Sequence, residues 1–252
     1  MTDILFEYDH ILIRSEYRTP DIHKHLAAHI VFGIKDELTC VVGENVFKCR
    51  GAFIASDVEH TIYAENGDML LFLLDTTSKM ARVVQENYLH GNSFSLIDTA
   101  MAKRMADIWE KCAGNLKEAD RILLETCGVK KDIKPAADER IQMVLSYLES
   151  SDTIPADIMS RLCSVACLSE SRLSHLFKEQ MGIALGRYLV LEKMKKGYVH
   201  YRCTGNITEA AMNAGFDSPS HFAATCKRMF GISFSEFIKS YTHKRNGLPF
   251  RL

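Results

Sequence analysis

The C-terminal part of the chain aligns with itself, without a gap, at a shift of 49 residues. Ser169, Ser171, Lys178, Gly182 and Ile183 fall on Ser218, Ser220, Lys227, Gly231 and Ile232. Apolar positions match in kind: Leu173 with Phe222, Met181 with Phe230, Leu185 with Phe234, Tyr188 with Phe237 and Leu189 with Ile238. Upstream, Ile158, Leu162 and Ala166 fall on Ile207, Ala211 and Gly215. A repeat of this kind requires both copies to adopt one local structure, so this stretch holds a duplicated helical unit.

Each copy reads as helix, tight turn, helix, over about 157–178 and 206–229. In the second copy, Asn206 and Glu209 form a capping-box pattern that opens a helix Ile207–Ala214, which Gly215 ends. Ser218 then caps Pro219–Phe230, with proline in the first turn, where its missing N–H costs nothing, and Gly231 closes it. Ser169 and Gly182 play the same parts in the first copy. There the second helix sets Leu173, Leu176 and Phe177 against a polar face of Ser171, Ser174, His175 and Lys178. The matching face in copy two is Ser220, Ala223, Ala224 and Lys227, with Arg228 beside it. One such face is an ordinary solvated surface. Two in register, each behind a helix and a turn, read as a pair of DNA-recognition helices. Short hydroxyls and a ring nitrogen approach base edges in the major groove, while the cations reach phosphates. On this reading copy one discriminates sequence and copy two contributes methyl contacts and phosphate anchoring.

Charge is distributed to suit. From Asp138 onward Lys+Arg number 15 against 11 Asp+Glu, whereas the first 137 residues hold 16 against 21. A basic half releases counterions when it meets phosphates, although an excess of four is common among enzymes too.

These residues resemble the AraC/XylS family of transcription regulators. The family pattern near the end runs roughly GF-x-x-x-S-x-F-x-x-x-F-K-x-x-x-G-x-S/T-P-x-x-Y/F, and this chain has Gly215-Phe216, Ser220, Phe222, Lys227, Gly231, Ser233 and Phe237 in those places. The resemblance covers about Asp138–Tyr241, including a connecting helix expected at Ala184–Tyr201. Cys226 stands where the family has Phe, Phe234 where it has Pro, and Lys193 where it more often has Arg. The resemblance implies two recognition helices in successive major grooves, about 34 Å apart. It also implies an effector-sensing N-terminal domain, a homodimer on double-stranded promoter DNA, and contact with RNA polymerase in an activator.

Residues 1 to about 77 read as short strands: Leu38–Val42, Val46–Cys49, Ala52–Ile54, Thr61–Tyr63 and Met69–Leu74, parted by Gly43-Glu44-Asn45, Arg50-Gly51 and Glu65-Asn66-Gly67-Asp68. Such spacing predicts a sandwich or barrel. From Ser93 the period becomes helical: Met101, Met105, Ile108, Trp109, Cys112 and Leu116 form one stripe, either a dimer interface or a seam on the barrel. A second helix is expected over Ala119–Cys127, stopped by Gly128, and Lys130–Ala137 reads as a linker. The expected order is therefore a cupin-like sensor at 1–92, a helical dimerisation or packing region at 93–129, a linker at 130–137 and a DNA-binding domain at 138–245. The fold class is α+β, with an N-terminal barrel or sandwich and an all-α C-terminal domain.

The segment DIHKHLAAHIVFGI with His23, His25 and His29, followed by His60, resembles the H-x-H and second-His motifs of cupins. His29 stands in the usual Glu position, and the proline before the second-motif His is absent. Four imidazoles suit Zn²⁺, Ni²⁺, Cu²⁺ or Fe²⁺. Strand parity sets His23, His25 and His29 on one face and Ile22, Leu26, Ile30, Phe32 and Ile34 on the other, and both compete for the interior. An inward apolar face excludes an enclosed histidine site, whereas a bulge near Ala27-Ala28 restores one. The cofactor is thus a divalent metal or none, with a small organic effector as the alternative occupant.

The eight cysteines show no CxxC pair, and the start MTDILFEYDH lacks a basic segment leading into an apolar one. Reduced thiols in a cytoplasm are expected, with Cys40 and Cys49 near enough across the Gly43 turn for a redox pair. No stretch reaches the eighteen or so uncharged apolar residues of a membrane span. The reading is a non-enzymatic, cytoplasmic, DNA-binding regulator; the alternative is a metal-dependent cupin enzyme with a helical appendage.

Overall fold

A computed structural model describes residues 3–15, 21–64, 68–129, 138–230 and 234. The expected 130–137 linker, the Glu65–Gly67 turn, Gly231 and the domain's end to 245 lie outside them. Among the described residues there are nine strands: β1 (Asp3–Phe6), β2 (His10–Ser15), β3 (Ala28–Gly33), β4 (Leu38–Val42), β5 (Asn45–Cys49), β6 (Gly51–Ile54), β7 (His60–Tyr63), β8 (Met69–Leu74) and β9 (Phe94–Leu96). They form a six-stranded sheet, β1-β2-β8-β3-β6-β9, and a three-stranded one, β5-β4-β7. All pairings are antiparallel. The expected strands lie within one residue of β4 to β8. Strands β1, β2 and β9 add to that set; β1 and β9 are four and three residues long and carry little pattern.

Both faces of the larger sheet are covered, and its side chains alternate between them. One face gives Leu12, Ile30, Phe32, Leu70, Phe72 and Leu74 to a core under three helices. These are α1 (Lys79–Val84, continued by a π-type turn Gln85–Leu89), α2 (Thr99–Lys111) and α3 (Leu116–Thr126). The Met101–Leu116 stripe is therefore not one helix. Ala113 and Gly114 take positive φ, and Asn115 caps a new helix by accepting from Glu118 N. Ala102, Met105 and Trp109 are buried on the barrel. The other sheet face splits: Val31, Ala52, Ile54 and Met69 pack on the small sheet. Ile11, Ile13 and Leu73 instead join the core of the C-terminal helices.

Those helices are α4 (Glu139–Ser150), α5 (Ile158–Ala166), α6 (Glu170–Met181), α7 (Leu185–Thr204), α8 (Ile207–Asn213) and α9 (Pro219–Phe230). Ser169 Oγ accepts from Arg172 N, Asn206 Oδ1 from Glu209 N and Ser218 Oγ from His221 N. Each such cap contributes about 1 kcal/mol. The connecting helix runs one residue less at its start and three more at its end than expected. The family departures are absorbed into the core: Cys226 lies 3.9 Å from Met194 Sδ, and Phe234 packs on Phe222 and edge-on to Tyr201. Lys193 Nζ donates to Gly215 O at 2.7 Å and lies over the Phe216 ring. All eight cysteines are free, with Cys40 and Cys49 buried and their sulfurs 3.8 Å apart.

One buried polar knot ties the helical layer to the sheet. His10, fully buried on β2, sits 2.5 Å from Asp120 Oδ1 of α3 and 2.8 Å from Asp9 Oδ1. Burial alone would lower its pKa, but hydrogen bonds and charge from Asp120 and Asp9 outweigh it and raise the value to about 9. The folded state thus holds a proton that the unfolded chain releases near pH 6.5. Stability from this group is complete below 6.5 and is lost as pH rises through about 9. The urea midpoint of the wild type should fall across that window, by the equivalent of a few kcal/mol in total. In His10→Gln the same window should be flat; an equal fall in the variant would show that His10 is not its source.

Candidate functional site

The histidine segment is not a continuous strand. His23 makes an isolated bridge to His60, with N–H···O bonds of 3.0 and 2.9 Å, the chain bends at Leu26, and β3 begins only at Ala28. Parity is still kept, and the rivalry between the two faces disappears because both are interior. Ile30 and Phe32 lie under the helices, whereas His25, His29 and His60 are buried on the side of the small sheet; Ile22 and Leu26 are exposed. A bend, rather than a bulge, produces this arrangement.

The four imidazoles form one cluster, with ring centroids 4.5 Å apart for His29–His60, 4.7 Å for His23–His60 and His25–His29, and 5.2 Å for His25–His60. One nitrogen from each of His23, His25 and His60 lies within 4.8 Å of the others. His29 Nε2 lies 3.1 Å from His25 Nε2. Burial, reinforced by neighbouring imidazoles, depresses His25 to about 2 and holds His29 well below its ordinary value. Burial likewise lowers His60 to about 4, against an opposing hydrogen bond to Val58. Uncharged imidazoles are what a metal ion requires of its ligands. Hydrogen-bond partners fix the protons. His23 Nδ1 lies 2.7 Å from Asp21 O and His60 Nδ1 2.8 Å from Val58 O. Carbonyls only accept, so both Nδ1 atoms donate and each Nε2 keeps its lone pair. His60 Nε2 is buried with no hydrogen-bond partner. The residues therefore fit a divalent metal ion.

The second candidate site is the pair of helices α6 and α9. On α6, Ser171, His175 and Lys178 are exposed and Ser174 half-buried; on α9, Ser220, Ala223, Ala224, Lys227 and Arg228 are exposed. Leu173, Phe177 and Phe222 anchor the opposite faces in the core. His175 Nδ1 donates to Ser171 O at 2.8 Å, which leaves Nε2 as an acceptor. Exposed Arg172 and His221 also stand on these helices and were not singled out from sequence. Their alternating register with the anchors was readable there.

Contacts between the two halves had no such signal. Arg187 Nε on α7 donates to the buried Asp75 carboxylate at 2.7 Å, and Ala184 N donates to Thr77 Oγ1 at 3.3 Å. Leu26 N donates to Arg228 O, near the end of α9, at 3.3 Å. Phe6 meets the Tyr198 ring at 5.5 Å. Each joins residues far apart in sequence.

A helix-turn-helix domain family matches residues 162–240. The C-terminal part of the chain is an AraC-type helix-turn-helix domain. The chain is 31% identical over 128 residues to the arabinose operon regulatory protein of Escherichia coli, covering 49% of this chain and 43% of that protein. The Salmonella typhimurium protein of that name is 33% identical over 132 residues, 51% and 46% of the two chains. The chain thus spans less than half the length of these relatives. A probable transcriptional regulator, LumQ of Photobacterium leiognathi, is 29% identical over 233 residues, 84% of this chain and 89% of that one. With solved structures the likeness is one of fold. ToxT of Vibrio cholerae superposes with a TM-score of 0.50 at 9% identity over 94% of this chain and all of that chain. Its unsaturated fatty acid-bound form gives 0.50 at 10% identity over 96% and 99%. The N-terminal half consists of two antiparallel sheets flanked by helices.

The AraC-type domain depends locally on Gly215, whose φ is 88° and whose missing Cβ would stand 2.0 Å from Ile154 O. Gly215→Ala should cost at least about 2 kcal/mol, as left-handed strain of about 1–2 kcal/mol adds to that overlap. Denaturant unfolding measures it; an unchanged midpoint would contradict the packing described.

Proposed function

We propose that the chain is a cytoplasmic, effector-responsive transcription regulator whose AraC-type domain binds promoter DNA with α6 and α9 in successive major grooves. The observation that carries this is the pair of in-register helices, anchored by Phe177 and Phe222 and joined by the 20-residue α7, with exposed faces turned away from the core. Joining two weak half-sites rigidly raises the effective concentration of the second once the first is bound. The working division is a sensor at 1–92, helices at 93–129, a linker at 130–137 and the DNA-binding domain at 138–245. A metal-dependent cupin enzyme would leave the duplicated helices without a role.

The partners follow from this reading: double-stranded promoter DNA, a second copy of the chain, and RNA polymerase if the regulator activates. Most of the α2 stripe is taken up by the barrel, so a second copy would meet its remaining half-buried members, Met101 and Ile108. The effector site is the histidine cluster of His23, His25, His29 and His60. A fatty acid, named for one ToxT structure, suits an apolar chamber. Four imidazoles instead favour a polar or cationic effector.

Base discrimination rests on Ser171, Ser174 and His175. With Nδ1 committed to Ser171 O, His175 Nε2 accepts from the amino group of a cytosine or adenine. His175→Ala should reorder a panel of operator variants at one base pair, changing relative affinity by about 1–3 kcal/mol. Lys178→Ala, Lys227→Ala and Arg228→Ala should weaken every sequence alike, each lowering the salt slope by about 0.9. Mobility shifts across a salt series measure both. An unchanged ranking with His175→Ala, or no binding at low salt by the wild type, would refute the reading.

A further inference from the structure

The effector reading above leaves open what the imidazoles bind and how binding there reaches the helices. We propose that His23, His25 and His60 ligate a divalent transition-metal ion of the Zn²⁺ class, and that ligation breaks a hydrogen bond in the bend that contacts α9. The coupling to DNA rests on the regulator reading; the metal site stands apart from it.

Three features of the cluster point to such an ion. Its donors are imidazoles, the ligand type shared by Zn, Cu, Ni and Fe, with no carboxylate in the three-ligand group. Two of the rings are already oriented by carbonyls behind them, Asp21 O for His23 and Val58 O for His60. That second layer fixes which nitrogen faces a metal. His60 Nε2 is a buried lone pair with nothing to accept from, which an apolar or purely structural cluster leaves unexplained. Three protein ligands leave a position for water, or for His29 beside them.

His25 differs from the other two. Ala27 N–H donates to its Nδ1 at 3.3 Å, so Nδ1 holds the lone pair. The ring proton is therefore on Nε2, where it faces His29 Nε2 at 3.1 Å. Ligation through Nε2 moves that proton to Nδ1, which then cannot accept from Ala27. Ligation through Nδ1 uses the same lone pair. Either way the Ala27 N–H loses its partner when His25 takes a metal.

That bond lies inside the contact between the two halves. Leu26, between His25 and Ala27, donates its N–H to Arg228 O, and Ala27 packs in the core shared with the DNA-binding helices. His29 stands opposite Leu73 of β8, another member of that shared core. The ion thus binds one end of a three-residue bend in which Leu26 bonds α9 and Ala27 enters the shared core, and metal and DNA affinities are coupled.

The test uses the full chain, freed of any tag and of metal, and a duplex it selects from a random pool. Zn²⁺ and Co²⁺ are titrated in, with bound metal, the Co²⁺ visible spectrum, Ala27 amide exchange and DNA affinity as readouts. One ion per chain is expected, with faster Ala27 exchange and a DNA affinity shifted about fivefold or more. By linkage the duplex shifts Zn²⁺ affinity by the same factor. His23→Ala and His60→Ala should each weaken metal binding at least about tenfold and abolish the shift. His23 is only half-buried, so its variant guards against misfolding of the other. No bound metal, or metal bound equally by both variants, overturns the site. Metal bound with DNA affinity constant within twofold overturns the coupling. A chain that binds no DNA in either state overturns the regulator reading and the coupling together, while stoichiometry still judges the site.

Discussion

Residues along β2, β3 and β8 alternate between two faces of one sheet, and what covers each face decides the rest of the molecule. Leu12, Ile30, Phe32 and Phe72 face α1 to α3, while Ile11, Ile13, His29, Val31 and Leu73 face the other way. Six strands present more area on that second side than three strands can cover. The small sheet takes the part over β3, β6 and the start of β8, and the C-terminal helices take the part over β2 and the end of β8. The histidine cluster sits where the two coverings meet. His25, His29 and His60 tolerate burial by staying uncharged, while His10 on the same sheet does so by keeping its proton between two carboxylates. Desolvation acts on both, and the neighbouring charges decide the sign.

The C-terminal half is built around α7 in a similar economy of contacts. Gly197 in the middle of α7 leaves room for the Phe222 ring, which a Cβ there would approach to 3.2 Å. Phe222, Phe234 and Tyr201 then lock α9 to the connecting helix. On the other side Phe177 packs on Tyr188 of α7, so α6 and α9 both refer to one rigid rod. The spacing between them is therefore set by the rod.

Much of this was legible in the sequence, unevenly. The repeat, its caps at Ser169, Asn206 and Ser218, and the core-facing residues of α6 and α9 follow from local spacing, and the structure places them accordingly. Strands β4 to β8 were readable because Gly and Asn turns separate apolar runs. The α2–α3 break was not, since Ala113 and Gly114 interrupt a stripe whose apolar period continues across them. Alternation along the strand sets His29 apart from Ile30 and Phe32, but its consequence depends on how many layers cover the sheet. A sequence shows which residues share a face and does not show what lies opposite. For the same reason Asp75, Thr77 and Arg187 carried no signal: a buried acid at the end of an apolar strand is intelligible only beside its distant partner.

The sharing of one sheet face bears on how such a chain can be cut and recombined. Helix-turn-helix domains and barrels are often pictured as exchangeable parts on a string. Here Ile11, Ile13 and Leu73 would lie open to water in an excised barrel, and the surface of α7 around Tyr198 would be bared in an excised domain. A chimera that grafts this barrel onto a foreign reader must therefore carry a matching apolar footprint as well as a linker of suitable length. The boundary at which the two parts evolve, or can be engineered, runs through a continuous core.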